Sequence, residues 1–188
     1  MILKNKNKEL KEKFLKEKKR IRDRNYRFKK LSIDKQRVSI AKDVIKQLKL
    51  GKFIPSRGDY LLMELPPDDE SSLQNILLNT DSCKVCALGA LFSSCVLKAN
   101  NFQLDNMDIV DPAICLDQNR IIENLKLYFP IKQLYMIENA FETLHINEEI
   151  GYNLHLKCEK FGLKFSNAKD RMVAIMQNII DNDGKFVP

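Results

Sequence analysis

Cys83 and Cys86, in the run Cys83-Lys84-Val85-Cys86, are the residues of this chain best spaced for chemistry. A C-x-x-C can serve as a redox pair or as half of a zinc site, because the thiolate is both nucleophile and metal ligand. A thioredoxin-like pair needs a preceding strand within a βαβ unit, and no such pattern is visible. For zinc, His155 and Cys158 supply a second pair, so Cys83, Cys86, His155 and Cys158 form a candidate Cys3His set. The 68 residues between the pairs and the lack of glycine-rich knuckles weigh against that set. Core thiols among Ala, Leu and Val are the plainer reading.

The same cysteines open the most apolar segment of the chain, which predicts a helix over about Cys83–Ala99. A helix start exposes unpaired backbone amides and the positive end of the macrodipole, and so favours an anion. Ser82, Cys83, Lys84 and Val85 therefore make a candidate anion site, with Lys84 and Arg57 as assisting cations. Gly89 inside this helix costs about 1 kcal/mol relative to Ala, which predicts the close approach of another backbone, a helix in preference to a ligand.

Other sets fail on their own chemistry. Glu142-Thr143-Leu144-His145 is an E-x-x-H, but a di-iron bundle needs a second one and two further glutamates. The remaining histidine, His155, has Tyr152 three residues earlier. Asp105, Asp108 and Asp111 lack the glycine and final glutamate of a calcium loop, and Asp181-Asn182-Asp183-Gly184 reads as a turn. No G-x-S-x-G, G-x-x-x-x-G-K-[ST] or G-x-G-x-x-G occurs. The expectation is a binding protein without catalytic residues, metal or cofactor.

The elements that must position these residues divide the chain in two. Residues 1–31 carry 14 Lys and Arg against four Asp and Glu, a local net of +10. Residues 32–188 carry 18 basic against 21 acidic side chains, a net of −3. The basic segment predicts a helical arm whose apolar residues Leu3, Leu10, Phe14, Ile21, Phe28 and Leu31 share one face. It reads as a solvated helix docked through Phe28 and Leu31, as a phosphate-contacting arm, or as an oligomerisation helix. For phosphate contact the candidates are Arg20, Arg22, Arg24, Tyr26, Arg27 and Phe28, since aromatics between cations suit single-strand stacking.

In the remainder, Val38, Ala41, Val44, Ile45 and Leu48 predict a helix capped by Ser32 or Asp34 and closed at Gly51. Lys52–Leu65 predicts a turn and an extended piece. A short helix follows at Leu73, Ile76 and Leu77. Residues 100–117 read as loop, with a helical turn at Asp111-Pro112, and further helices begin at Asp117, Pro130 and Asn167. Residues 151–165 fit helix or strand. The predicted fold is mainly α: a single-domain helical bundle of six to seven helices over 32–188, with room for one small β-hairpin near 52–65 or 152–165, and an N-terminal basic helical arm. Without a signal peptide or a long apolar run, and with five cysteines, the expected location is the cytoplasm.

Cys83–Phe92, Tyr128-Phe129, Gln133–Glu142 and Arg171–Pro188 together resemble a family of small accessory proteins of tailed bacteriophages and prophages, over about residues 36–188. The resemblance implies an accessory role in the bacterial host cytoplasm, such as inhibiting a host defence, and carries over no catalytic residue. The leading expectation is a non-enzymatic anti-defence or host-takeover protein that sequesters an anionic, nucleotide-like small molecule or captures a host defence protein. The alternative is a nucleic-acid-binding protein using the arm. No membrane contact is expected, and homo-oligomerisation through the arm stays open.

Overall fold

The structure is a computed structural model that describes residues 2–64, 72–105, 108–110, 113–143 and 150–188, the side chains of residues 2–10 excepted. Pro66–Ser71, Asp111, Pro112, Leu144, His145 and the side chains of Leu3 and Leu10 lie outside the described residues. Among the described residues are eight helices: α1 (Ile2–Lys29), α2 (Ile33–Lys49), α3 (Leu73–Asn79), α4 (Ala87–Ala99), α5 (Gln118–Leu125), α6 (Ile131–Glu142), α7 (Tyr152–Leu163) and α8 (Ala168–Asp181). Five short strands join them: β1 (Phe53–Pro55), β2 (Leu61–Glu64), β3 (Cys83–Val85), β4 (Ile109–Val110) and β5 (Ala113–Leu116). No described helix is long and apolar enough to cross a membrane.

The mainly helical expectation holds, with seven described helices over 32–188 beside the arm helix α1, but the single hairpin is replaced by a sheet. Its order is β1-β3-β2-β5-β4. The segments expected to form a hairpin, β1 and β2, do not pair with each other. Instead β3 lies between them, parallel to β1 and antiparallel to β2. The loop expected over 100–117 contains the antiparallel pair β4 and β5, and β5 pairs in turn with β2. Residues 151–165, left open between helix and strand, contain α7.

Alternation decides which face of the sheet is buried. Leu61 stands opposite both Val85 and Leu116, and Met63 stands opposite Ile114; all five are buried. The next row runs Ile54, Lys84, Leu62, Cys115 on the outer face. The inner face rests on α4, which is apolar on every side and so is enclosed on every side. Of its 13 residues only Lys98 is not buried.

Two glycines explain how tightly the layers meet. A Cβ on Gly89 would lie 1.4 Å from the Tyr60 carbonyl oxygen. The close approach predicted at Gly89 therefore comes from the backbone ahead of β2, not from a neighbouring helix. At Gly162 a Cβ would meet the Ala140 carbonyl at 1.9 Å, which is how α7 closes onto α6.

The C-terminal tail is pinned by the same region. Phe186 is fully buried, its ring edge-on to Phe161 at 5.1 Å. Its N–H donates to Gln133 Oε1 at 2.6 Å, and Gln133 Nε2 donates back to its carbonyl at 3.2 Å. Arg171 donates to the carbonyls of Phe141, Gly162 and Phe165 at 2.9–3.0 Å, closing the ends of α6 and α7. Gln133, Arg171 and Phe186 thus hold elements together, as the Cys83–Phe92 stretch does around α4. These residues are packing devices.

Candidate functional site

The arm is more than an appendage, because Phe28 in its last turn belongs to the core. Phe28 is 4% exposed and packs its ring 5.9 Å from that of Tyr128. The helix there stands on the C-terminal end of α4, where backbone carbonyls lack helical partners. Arg24 Nη2 donates to the Leu97 carbonyl at 2.6 Å, and Gln74 Nε2 donates to the carbonyls of Val96 and Leu97. The Asn25 amide, with its nitrogen inward, donates to the Lys98 carbonyl at 2.8 Å and accepts from Gln74 Nε2 at 3.3 Å. A cation at the negative end of a helix dipole is favourable, so Arg24 both caps α4 and fixes the arm.

This docking leaves a basic groove on each flank of α1. On the α2 side, a groove of about 650 Å³ is lined by Arg20 and Arg24 of α1, Lys35, Lys42 and Lys46 of α2, and Lys98 of α4. Among the described lining, Asp43 and Asp183 alone oppose these six cations. Lys98 lies 3.8 Å from Asp43. Burial pulls the Lys98 and Arg24 pKa values down, and Asp43 partly offsets this in both. On the α3 side, a groove of about 700 Å³ is lined by Lys18, Lys19, Arg22 and Lys29, with Tyr26 among them and no carboxylate among its described lining.

The two flanks follow from helical spacing. Lys18, Arg22, Tyr26 and Lys29 recur at intervals of four, four and three and so share one face. Arg20 and Arg24 share another. From Lys11 to Lys30, 11 Lys and Arg stand against three Asp and Glu, a net of +8 over about 30 Å of helix. Few of these charges are neutralised within the arm. Arg20 meets Glu17 at 3.4 Å, but both are more than half exposed, and such pairs contribute little.

The arm residues singled out from sequence thus separate into two roles. Arg20, Arg22, Tyr26 and Arg27 are exposed, Tyr26 at 64%. Arg24 is half-buried on α4, and Phe28 is inside the core and has no free face for a base to stack on. Both are corrected from ligand contact to docking. The residues that sequence reasoning missed are Lys35, Lys42, Lys46 and Lys98. Their signal was present in α2, where the spacing of 35, 42 and 46 is seven and four. The net charge of −3 over residues 32–188 concealed that stripe.

The anion site predicted at the start of the apolar helix is not assembled. Cys83–Val85 is strand β3, and α4 begins at Ala87 with Cys86 as its N-cap. The Cys83 N–H donates to the Lys52 carbonyl and the Cys86 N–H to the Asp59 carbonyl, so these amides already have partners. The first turn of α4 is buried beneath the Tyr60 backbone. Arg57 donates to the Glu142 carbonyl and the Thr143 hydroxyl, capping α6 where Thr143 turns left-handed at φ 58°. A depression of about 420 Å³ does pass Ser82, Cys83 and Lys84, but Glu64 and Asp81 also line it. One lysine against two carboxylates does not favour an anion.

The zinc set is likewise not brought together. Among the described residues no three of His, Cys, Asp and Glu cluster closely enough to hold a metal ion. Burial pushes the Cys83 and Cys86 thiols up to about 12 and Cys158 to about 11, which opposes the thiolate that zinc requires. The aspartates of the 100–117 segment also differ from a solvated loop. Asp108 is 2% exposed, accepts from the Asp105 N–H at 2.9 Å and pairs with Arg120 at 3.1 Å. Arg120 also binds Asp105 and the Gln103 carbonyl, and lies over the Phe102 ring.

No protein-family model, curated protein or solved structure matches the chain. The functional reading therefore rests on the residues and their geometry.

Proposed function

We propose that this protein binds nucleic acid along α1, with phosphates held in the grooves on either side of the helix. The observation that carries this reading is the α2-side groove, where cations from three separate elements face one space. A solvated charged arm needs no such convergence. A polyanion gains from it, since each phosphate neutralised releases condensed counterions. The phage resemblance supplies a setting for the proposal: an accessory protein acting on host or viral nucleic acid in bacterial cytoplasm. Capture of a nucleotide-like signal at the start of α4 is not carried forward, because Cys83–Val85 is a strand whose Cys83 amide is already paired, and Glu64 and Asp81 line the depression beside Lys84.

Fluorescence anisotropy of the full chain with labelled oligonucleotides across a salt series tests the proposal. If the five groove cations other than Arg24 engage phosphates, log K falls against log salt with a slope of about −3.5 or steeper, at about 0.7 per contact for a single strand. An absence of binding at low salt, or binding insensitive to salt, refutes it.

A further inference from the structure

The two grooves beside α1 differ in kind. The α2-side groove offers cations, Val38 and Ser39, and has no aromatic side chain in its lining. The α3-side groove places Tyr26 between Arg22 and Lys29 on one helical face, with Ile21, Gln74 and Ala99 beneath. The Tyr26 ring is 64% exposed, and Lys30 Nζ stands 5.4 Å from its centroid. Across the groove, Asn75 and Asn100 are exposed side-chain amides, each able to donate and accept. An exposed aromatic flanked by cations and faced by free amides is suited to a base as well as to a phosphate.

Resting on the nucleic-acid reading above, we infer that the α3-side groove takes an unpaired base of a single strand. The base stacks on Tyr26, its edge meets the amides of Asn75 and Asn100, and the flanking phosphates lie on Lys18, Arg22 and Lys29. A duplex keeps its base faces stacked inside and can offer Tyr26 none of them. It is left with the phosphate contacts alone, which either flank of α1 supplies. The groove volume of about 700 Å³ accommodates a nucleotide beside the helix.

The test compares Tyr26→Ala and Tyr26→Phe with the unaltered full chain, on oligo-dT and oligo-U of about 15 nucleotides and on a duplex of equal length. The expected result is an approximately ten-fold loss of single-strand affinity for Tyr26→Ala, unchanged duplex affinity, and single-strand affinity retained by Tyr26→Phe. The dT and U strands distinguish DNA from RNA as the source of the base. The inference is overturned if Tyr26→Ala binds single strands as the unaltered chain does, or if single-strand and duplex affinities fall together. Duplex binding without single-strand binding by the unaltered chain overturns it while leaving the nucleic-acid reading intact. Binding of neither removes both. Because Tyr26 projects into solvent, its replacement leaves the docked face of α1 unaltered.

Discussion

Replacing Gly89 by alanine should reverse the sign that helix propensity alone predicts. Propensity favours Ala over Gly by about 1 kcal/mol in a helix interior. The added Cβ, however, would lie 1.4 Å from the Tyr60 carbonyl oxygen, whereas ordinary contact begins at 3.4 Å. Helix and strand must therefore separate by about 2 Å at this point. The oxygen is backbone and cannot swing aside. Overpacking of this kind costs about 1–3 kcal/mol. Moving Tyr60 also stretches the neighbouring bond from the Cys86 N–H to the Asp59 carbonyl, now 2.6 Å. Leaving those buried groups unpaired adds about 1–3 kcal/mol. The net expectation is a loss of about 3 kcal/mol, seen in urea as a fall of about 1 M or more in the unfolding midpoint. A Gly89→Ala protein as stable as the original, or more so, would refute the reasoning. It would also restore space at the start of α4 and with it the case for a ligand there.

Other expectations concern groups whose surroundings are equally specific. Cys115 faces solvent while Cys83, Cys86, Cys95 and Cys158 are buried with raised pKa values. Alkylation of the native protein followed by mass mapping should thus label Cys115 first, and early labelling of Cys83 or Cys86 would contradict the structure. Burial, with the Asp117 charge second, raises Asp108 from the usual 3.8 to about 6; the Arg120 guanidinium opposes this but is shared with Asp105 and Gln103. The native state then holds the extra proton, so the contribution of this group is full below 3.8 and is lost as pH rises through about 6. Asp108→Asn should flatten that part of the profile of melting temperature against pH, and an unchanged profile counts against the assignment. Arg171→Met removes three guanidinium bonds to the ends of α6 and α7. It should cost about 3 kcal/mol or more in denaturant titration, and a loss under about 1 kcal/mol would show those carbonyls finding other partners.

Long periodic segments were legible in the sequence. The stripe of Ala41, Val44 and Leu48 is the buried face of α2, Gly51 closes it at φ 73°, and Asn167 caps α8 by accepting from the Asp170 N–H. The sheet was not legible, because its strands are two to four residues long and carry too few alternations to show a period. Cys83-Lys84-Val85 abuts an unbroken apolar run and so reads as the first turn of the helix. That boundary error of four residues placed Cys83, Lys84 and Val85 of the candidate anion site on a strand, where the Cys83 amide is already paired. For the basic groove, the arm was visible as a run of charge, but its partners on α2 and α4 depend on tertiary docking. Arg24 and Asn25 meeting the end of α4, with Phe28 packed on Tyr128, bring Lys35, Lys42, Lys46 and Lys98 beside the arm.

The central claim, that arm and body form one nucleic-acid surface, turns on two lysines of α2. Lys42 and Lys46 are exposed and line the groove beside Arg20 and Arg24. The most direct measurement is the salt dependence of oligonucleotide binding by the full chain carrying Lys42→Gln and Lys46→Gln, set against the unaltered chain. If both lysines engage phosphates, the slope of log K against log salt becomes shallower by about 1.4–1.8, with no change in melting temperature. An unchanged slope would mean that the arm acts alone and that the groove between α1 and α2 has no part in binding.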